Sequence, residues 1–110
     1  HNDHFVLSFA YVFEEPQKVF FAYSIPYTYS KLKSFLSDLE SRQFTFFRRR
    51  ILTETIQKRE VDLVTIEDES AINSRKKMIF ITGRVHPGET PSSHVIHGLI
   101  QFLVSDDPKS

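Results

Sequence analysis

An unbroken apolar run near the C-terminal end constrains the fold of this chain more than any other feature. Residues Met78 to Thr82 carry no charge and show no alternation of apolar and polar positions. Continuous hydrophobicity is typical of a central strand whose two faces are both covered. A turn-prone segment follows at 83–89. Thr90 and Pro91 then predict a helix start, with the threonine hydroxyl as N-cap and proline at the first helical position. This order of strand, turn and helix predicts an α/β fold.

The middle of the chain predicts one further helix and two strands. A helix is expected over 29–41, where Thr28 or Ser30 can supply the N-cap. Two segments rich in β-branched residues, 51–56 and 61–66, predict strands joined by a polar turn. The helical face is indicated by apolar residues at the i, i+3, i+4, i+7 spacing, namely Leu32, Phe35, Leu36 and Leu39.

Aromatic residues dominate the first part of the chain. Every second position from Phe5 to Phe13 is aromatic except for Leu7, so these positions form one apolar face. A second apolar run covers 19–23 after a turn at Pro16. This pattern predicts an antiparallel hairpin, which must pack on another element because a lone hairpin is marginal in water. Aromatic stripes can also stack on single-stranded nucleic acid. The zero net charge argues against that use and favours the core of a β-sandwich.

Charge and cysteine content exclude several classes of function. The chain has 110 residues, with 14 Lys and Arg against 14 Asp and Glu, so its formal net charge is zero. Neither nucleic acid nor an anionic membrane is therefore an expected partner. The absence of cysteine excludes a disulfide scaffold and a thiolate zinc site. Any metal must be held by histidine and carboxylate, which suits a reducing cytoplasm.

His86 and Glu89 are the candidate metal ligands. Imidazole nitrogen and carboxylate oxygen are both good zinc donors, and a spacing of three across a tight turn lets both reach one ion. Pro87 stiffens such a turn, and Gly88 permits a positive φ. The position after a buried strand suits a site, since ligands gather at the carboxyl ends of strands in open α/β sheets. A polar loop, with Glu89 at the favourable end of a helix dipole, is the simpler interpretation.

Four segments resemble one protein family. The run Arg84-Val85-His86-Pro87-Gly88-Glu89-Thr90-Pro91-Ser92-Ser93 resembles the zinc segment of the cytosolic carboxypeptidases. These are zinc metallocarboxypeptidases of the funnelin type, some of which trim glutamates from tubulin tails. Residues 21–32 resemble the family's junction between an N-terminal β-sandwich and the catalytic domain. Residues 49–66 are similar to its first catalytic strands, and 98–103 to the helix after the zinc turn.

The resemblance implies a two-domain arrangement. Residues 1–25 would be the last strands of the β-sandwich, and 26–110 the opening part of a metallocarboxypeptidase α/β domain with a mixed sheet. Two local departures concern turn geometry: Lys58-Arg59-Glu60 stands where the family often has Gly-Asn, and Pro91 where Asn is common. Neither departure involves a ligand.

The resemblance also implies a function. His86 and Glu89 would be two of three Zn²⁺ ligands, in an enzyme that removes C-terminal residues from peptide tails, tubulin among them. In the family the third histidine, the substrate-binding arginines and the general-base glutamate lie downstream, and no segment here matches them. No catalytic residue is therefore assigned, and we expect the 110-residue chain alone to be inactive. Two alternatives stay open: a non-catalytic carboxypeptidase-like module that binds tubulin or another protein, and an unrelated α/β protein.

Three further features have a functional and a structural interpretation. His94 and His97 share a helical face and could form a second metal site, but the absence of a carboxylate beside them favours ordinary helix histidines. The basic runs 48–50 and 75–77 could meet an acidic tail, although such runs more often pair with neighbours. The predicted strand 78–82 would have an exposed sheet edge, so self-association of the chain is expected.

Overall fold

The computed structural model describes residues 5–68 and 76–107. Within them lie two helices and two strands, in the order α1 (Tyr29–Ser41), β1 (Phe47–Glu54), β2 (Glu60–Ile66) and α2 (Thr90–Leu103). The predicted α/β class and the predicted helix over 29–41 are both confirmed. The first predicted strand begins four residues earlier than expected, at Phe47, because the arginines before Ile51 pair with β2 as well.

Helix α1 has a well-formed start and one buried face. The Thr28 side-chain oxygen accepts a hydrogen bond from the Lys31 N–H at 3.1 Å, so Thr28 is the N-cap. This bond satisfies one of the free N–H groups of the first turn, and the extended backbone of Thr28 is typical of an N-cap. Leu36 and Leu39 are each only 2% exposed, and the helix lies against β1. Together with Tyr27 and Phe47, these leucines are the buried hydrophobic residues of the described part of the chain.

Strands β1 and β2 form an antiparallel pair whose register runs from Phe47 opposite Ile66 to Glu54 opposite Glu60. The register shifts between Ile51 and Thr53. In the connecting turn Lys58 has φ 59°, in the left-handed region. Glycine and asparagine adopt this conformation more readily than lysine does. Lys58 therefore adopts a conformation that carries some backbone strain for a residue with a Cβ.

A buried carboxylate ties α1 to the sheet. Asp62 on β2 is 3% exposed, and its Oδ1 accepts from Arg49 Nε at 2.8 Å and from Lys33 Nζ at 3.2 Å. Lys33 also pairs with Glu60, and this hydrogen bond raises the pKa of Lys33 against the opposing effect of burial, with Asp62 adding to the rise. Asp62 Oδ2 is buried, and it has no hydrogen-bond partner among the described residues. One carboxylate thus joins a helix and both strands.

The predicted central strand over 78–82 does not form. Residues 76–82 have no strand structure, and the apolar side chains from Met78 to Ile81 are exposed, Met78 to 90%. A strand requires a neighbour to accept and donate its backbone hydrogen bonds. In the described part of the chain, β1 and β2 pair only with each other, so this run has no partner.

The predicted N-terminal hairpin also lacks strands. The two apolar runs nevertheless lie side by side, since the Phe9 and Phe21 ring centroids are 5.3 Å apart and those of Tyr11 and Phe21 are 5.6 Å apart. No strand is present from residue 5 to 28, and most of the aromatic side chains there are exposed. Ring contacts alone do not fix a β-ladder. The assignment of 1–25 to a β-sandwich stays a prediction.

Helix α2 begins one residue earlier than its predicted cap implies. Glu89 is the N-cap and makes no capping bond with its side chain, Thr90 is the first helical residue and is buried, and Pro91 follows it. The predicted N-cap role of Thr90 is therefore wrong, and the Glu89 carboxylate contacts His86 and makes no bond to the first turn of the helix. Among residues 5–68 and 76–107, neither helix has the length and apolar character needed to cross a bilayer.

Candidate metal-binding turn

The turn between the apolar run and α2 is closed by backbone hydrogen bonding. The Glu89 N–H donates to the His86 carbonyl oxygen at 3.1 Å, so residues 86–89 form a tight turn with Pro87 and Gly88 at its centre. Gly88 does not use the positive φ that a glycine permits, since no glycine in the chain has one. In this segment the left-handed residue is Arg84, at φ 58°. The left-handed backbone therefore precedes the turn and does not lie at its glycine.

The structure brings the two predicted ligands together. His86 Nδ1 lies 2.5 Å from Glu89 Oε1, and the His86 N–H donates to Glu89 Oε2 at 3.3 Å. The side-chain contact with His86, helped by backbone donors of His86 and Val85, lowers the pKa of Glu89. The carboxylate is thereby kept ionised, which is the form that binds a metal. Both side chains are open to solvent, 77% exposed for His86 and 45% for Glu89.

Ser92 fastens the turn to the first turn of α2. Its hydroxyl donates to the Glu89 carbonyl oxygen at 2.6 Å and accepts from the Arg84 N–H at 2.8 Å. Gly83 allows this approach, since a Cβ at that position would overlap the Ile96 side chain. The sequence indicated neither contact, because both depend on how the run before the turn lies against the helix.

Sequence reasoning also missed Arg84 as a residue of the site. Its Nε donates to the Pro87 carbonyl oxygen at 2.8 Å, and its Nη1 donates to the Tyr27 carbonyl oxygen at 3.3 Å. Nη1 also reaches the Ser93 hydroxyl at 3.4 Å. The available signal was a lone arginine between an apolar run and a turn. That signal is weak on its own, since most such arginines are solvated.

His94 and His97 contact α1 and the chain before it, and not the His86 turn. His97 Nδ1 lies 2.7 Å from the Tyr27 hydroxyl, and its ring stacks on Phe35 with centroids 3.7 Å apart. His94 Nε2 donates to the Ile25 carbonyl oxygen at 3.3 Å. Burial, then the positive charge of Lys31 and the nearby His94, lowers the pKa of His97. These contacts agree with the interpretation of two ordinary helix histidines.

The basic run 48–50 is engaged with acidic neighbours. Arg49 is 10% exposed and pairs with Asp62 and Glu40, while Arg48 pairs with Glu67. The guanidinium of Arg49 is therefore committed inside the fold, which agrees with the structural interpretation of this run. The other run, 75–77, begins outside the described residues.

The donor set at the turn fits Zn²⁺ in type but not in number. Imidazole nitrogen and ionised carboxylate are zinc donors, and a zinc site in proteins usually has at least three protein ligands. In the ranges 5–68 and 76–107, no three histidine, aspartate or glutamate side chains lie close enough together to hold a metal ion. His86 and Glu89 can therefore supply half of a tetrahedral site.

Comparison with known proteins identifies carboxypeptidases both by a family model and by individual relatives. The zinc carboxypeptidase model, peptidase M14, matches residues 32–110. Cytosolic carboxypeptidase 6 of Caenorhabditis elegans is 56% identical over 111 residues, covering 100% of this chain and 24% of that protein. The human protein of that name is 44% identical and human cytosolic carboxypeptidase 1 is 35% identical, with 98% and 97% of this chain covered.

The chain spans 22% of the first of these human proteins and 10% of the second, so it corresponds to about a quarter or less of the length of these relatives. No solved structure matches it significantly. The family model nevertheless covers more than two thirds of the 110 residues, including the turn and α2. The chain therefore belongs to the zinc carboxypeptidase family.

Proposed function

We propose that His86 and Glu89 are two of the zinc ligands of a metallocarboxypeptidase. The observation that carries the proposal is the convergence of His86 Nδ1 and Glu89 Oε1, 2.5 Å apart on an exposed turn. These two atoms share a hydrogen bond, so a shared ion would replace the proton between them and move them slightly apart, while the turn keeps both side chains within reach of one ion. Family membership supports the choice of Zn²⁺. When bound, the metal would polarise a scissile carbonyl and make a water molecule more acidic.

The proposed reaction of the whole protein is hydrolysis of C-terminal residues from protein tails. The relatives are named cytosolic carboxypeptidases, which supports both the reaction and a cytoplasmic location. Glutamate-rich tails, including those of tubulin, are the substrate class that the motif resemblance implies. This chain by itself is proposed to be inactive, because among its described residues no third ligand joins the pair.

Zinc titration of the 110-residue chain tests the ligand assignment. We expect zinc affinity measured by calorimetry to fall at least tenfold in both His86→Ala and Glu89→Gln. The matched control is His94→Ala, which removes a histidine that contacts the Ile25 carbonyl and not the turn. Equal affinity in the wild type and the His86 variant would refute the assignment.

A hydrolysis assay separates the enzyme from the non-catalytic alternative. The longer protein is assayed on two peptides that differ only in their last residue, glutamate or lysine. We expect zinc-dependent release of glutamate by the longer protein and no release by the 110-residue chain. Zinc binding without turnover of either peptide in the longer protein would favour a binding module. Turnover by the short chain would refute its proposed inactivity.

A further inference from the structure

We propose that Arg84 is a positioning residue that holds the His86–Glu89 turn ready for metal binding. The inference rests on the proposed function, since it concerns the same pair of ligands. It assigns a role to a side chain that contacts neither ligand side chain. The role follows from three sets of contacts: inside the turn, outside the turn, and along the backbone.

Inside the turn, the arginine side chain holds the central peptide. Arg84 Nε donates to the carbonyl oxygen of Pro87 at 2.8 Å. This carbonyl lies between the two ligands in sequence, so its orientation fixes the turn from which both side chains project. A hydrogen bond from a charged donor is stronger than one between neutral groups. The guanidinium therefore restricts the peptide from which both candidate ligands extend.

Outside the turn, the same guanidinium reaches two other parts of the fold. Its Nη1 donates to the carbonyl oxygen of Tyr27 and lies within reach of the Ser93 hydroxyl on α2. Tyr27 is a firm anchor, because it is 8% exposed and its hydroxyl contacts His97. The planar guanidinium can serve acceptors in several directions at once, which a lysine ammonium on a flexible stem does less well. The turn is thus tied to the start of α1 and to α2.

Along the backbone, Arg84 adopts an unfavourable conformation that its surroundings maintain. Its φ of 58° lies in the left-handed region, where a Cβ is crowded. The Arg84 N–H donates to Ser92 Oγ, and that hydroxyl donates to the Glu89 carbonyl oxygen. Strained backbone persists where neighbouring contacts determine it, and it is frequent at functional sites. In this conformation the Arg84 side chain reaches the Pro87 carbonyl oxygen at the centre of the turn.

The exposure of the ligands makes such bracing necessary. His86 and Glu89 are largely solvent-exposed, so packing does not restrict their side chains. Their geometry depends on the turn backbone and on their mutual contact. Outer-shell partners of metal ligands typically contribute a factor of about 10–100 in metal affinity. A residue that braces the turn should therefore affect zinc affinity without being a ligand.

The test compares Arg84→Gly with Arg84→Gln and with the control Arg50→Gln in the 110-residue chain. Glycine accepts φ 58° without strain, so this variant allows the same backbone conformation and removes the side chain, whereas Arg84→Gln keeps part of the aliphatic stem and removes the guanidinium. Arg50 is an exposed residue of β1, and its change removes the same charge away from the turn. The readouts are the zinc dissociation constant by calorimetry and the thermal midpoint of the metal-free protein.

We expect both Arg84 variants to bind zinc about tenfold more weakly, with Arg50→Gln unchanged and the midpoint of Arg84→Gly close to that of the wild type. Wild-type affinity in Arg84→Gly would overturn the positioning role and leave the ligand assignment intact. An Arg84→Gly variant that fails to fold would also overturn it, because Arg84 would then act on stability. Absence of His86-dependent zinc binding in the wild type would overturn the proposed function, and this inference with it.

Discussion

Helices α1 and α2 differ little in length, at 13 and 14 residues, but they differ in how their apolar faces are used. Helix α1 contains several charged residues and still buries Leu36 and Leu39 almost completely. Helix α2 contains no charged residue between Thr90 and Leu103, yet only Thr90 is buried. Burial in this chain therefore follows the presence of a neighbouring element and not the apolar content of the helix.

The difference has a clear structural origin. Helix α1 lies against β1 and is joined to the sheet through the buried Asp62 carboxylate. Helix α2 is held mainly at specific points, where His97 contacts Tyr27 and Phe35, and where Ser92 and Ser93 contact Arg84. The first helix is stabilised by burial of its apolar surface, and the second by a few hydrogen bonds and ring contacts. Four predictions follow this contrast from the largest expected effect to the smallest.

Truncating the core face of α1 should cost the most. Leu36→Ala removes a side chain that is 2% exposed, so we expect a loss of about 2–5 kcal/mol in the free energy of unfolding. Val95→Ala on α2, where the side chain is 68% exposed, should change it by less than about 1 kcal/mol. Urea denaturation measures both. If both variants lost the same free energy of unfolding, the apolar face of α2 would be buried to the same degree as that of α1, and the two helices would not differ in this respect.

Neutralising the buried carboxylate should come next. Asp62→Asn leaves Arg49 and Lys33 without their shared partner, and we expect a loss of about 2–4 kcal/mol in the free energy of unfolding. The control is Asp38→Asn, which breaks the exposed pair with Arg42 and should cost less than about 1 kcal/mol. If the two substitutions cost the same, the anchoring of α1 to the sheet does not depend on Asp62.

Filling the contact between Gly83 and α2 should have a smaller effect. In Gly83→Ala the new Cβ overlaps Ile96, and we expect a loss of about 1–3 kcal/mol together with weaker zinc binding. Gly98→Ala, whose Cβ would meet nothing within 4 Å, should instead stabilise the helix by about 0.5–1 kcal/mol. Thermal unfolding and zinc titration provide the measurements. A neutral Gly83→Ala would show that α2 has no fixed position against this segment.

The pH dependence of α2 docking should be the smallest effect. The pKa of His97 is lowered from its usual 6.5, so folding favours the neutral ring. The stability that this gives is complete above about pH 6.5 and is lost as the pH falls toward the lowered pKa. We expect His97→Gln to reduce the loss of stability between pH 7.5 and 5, and His94→Gln, which removes only the smallest of the three causes of the shift, to change it less. Identical pH profiles in all three proteins would contradict a role for His97.

The exposed apolar segments 5–13 and 78–82 resemble α2, because their apolar side chains also have no neighbouring element among the described residues to cover them. Both satisfy the sequence criteria for strands, and neither is one in the structure. Their alternation and their apolar character are properties of sequence, but a strand also needs a neighbour with free hydrogen-bonding groups. Self-association through these segments stays a prediction, which light scattering at increasing protein concentration can measure.

The sequence predicted the two candidate ligands but not the residues that hold the turn between them. His86 and Glu89 were identified as a pair because residues three apart across a tight turn necessarily lie close. The role of Arg84 depends on contacts with Tyr27, which is 57 residues away, and with Ser93 on α2. No local pattern encodes those distances. The left-handed backbone of Arg84 is likewise not indicated by the local sequence, and its N–H donates to the Ser92 hydroxyl on α2.

The sequence by itself determined the bounds of α1, the two middle strands with the turn between them, and the nearness of the two candidate ligands. Each of these depends on residues close together along the chain, where side-chain spacing and backbone preference dominate. Only the tertiary structure decided that Asp62 is buried, that His97 meets Tyr27 across 70 residues and that Arg84 braces the turn. Those outcomes depend on which elements meet, and sequence spacing carries no information on that.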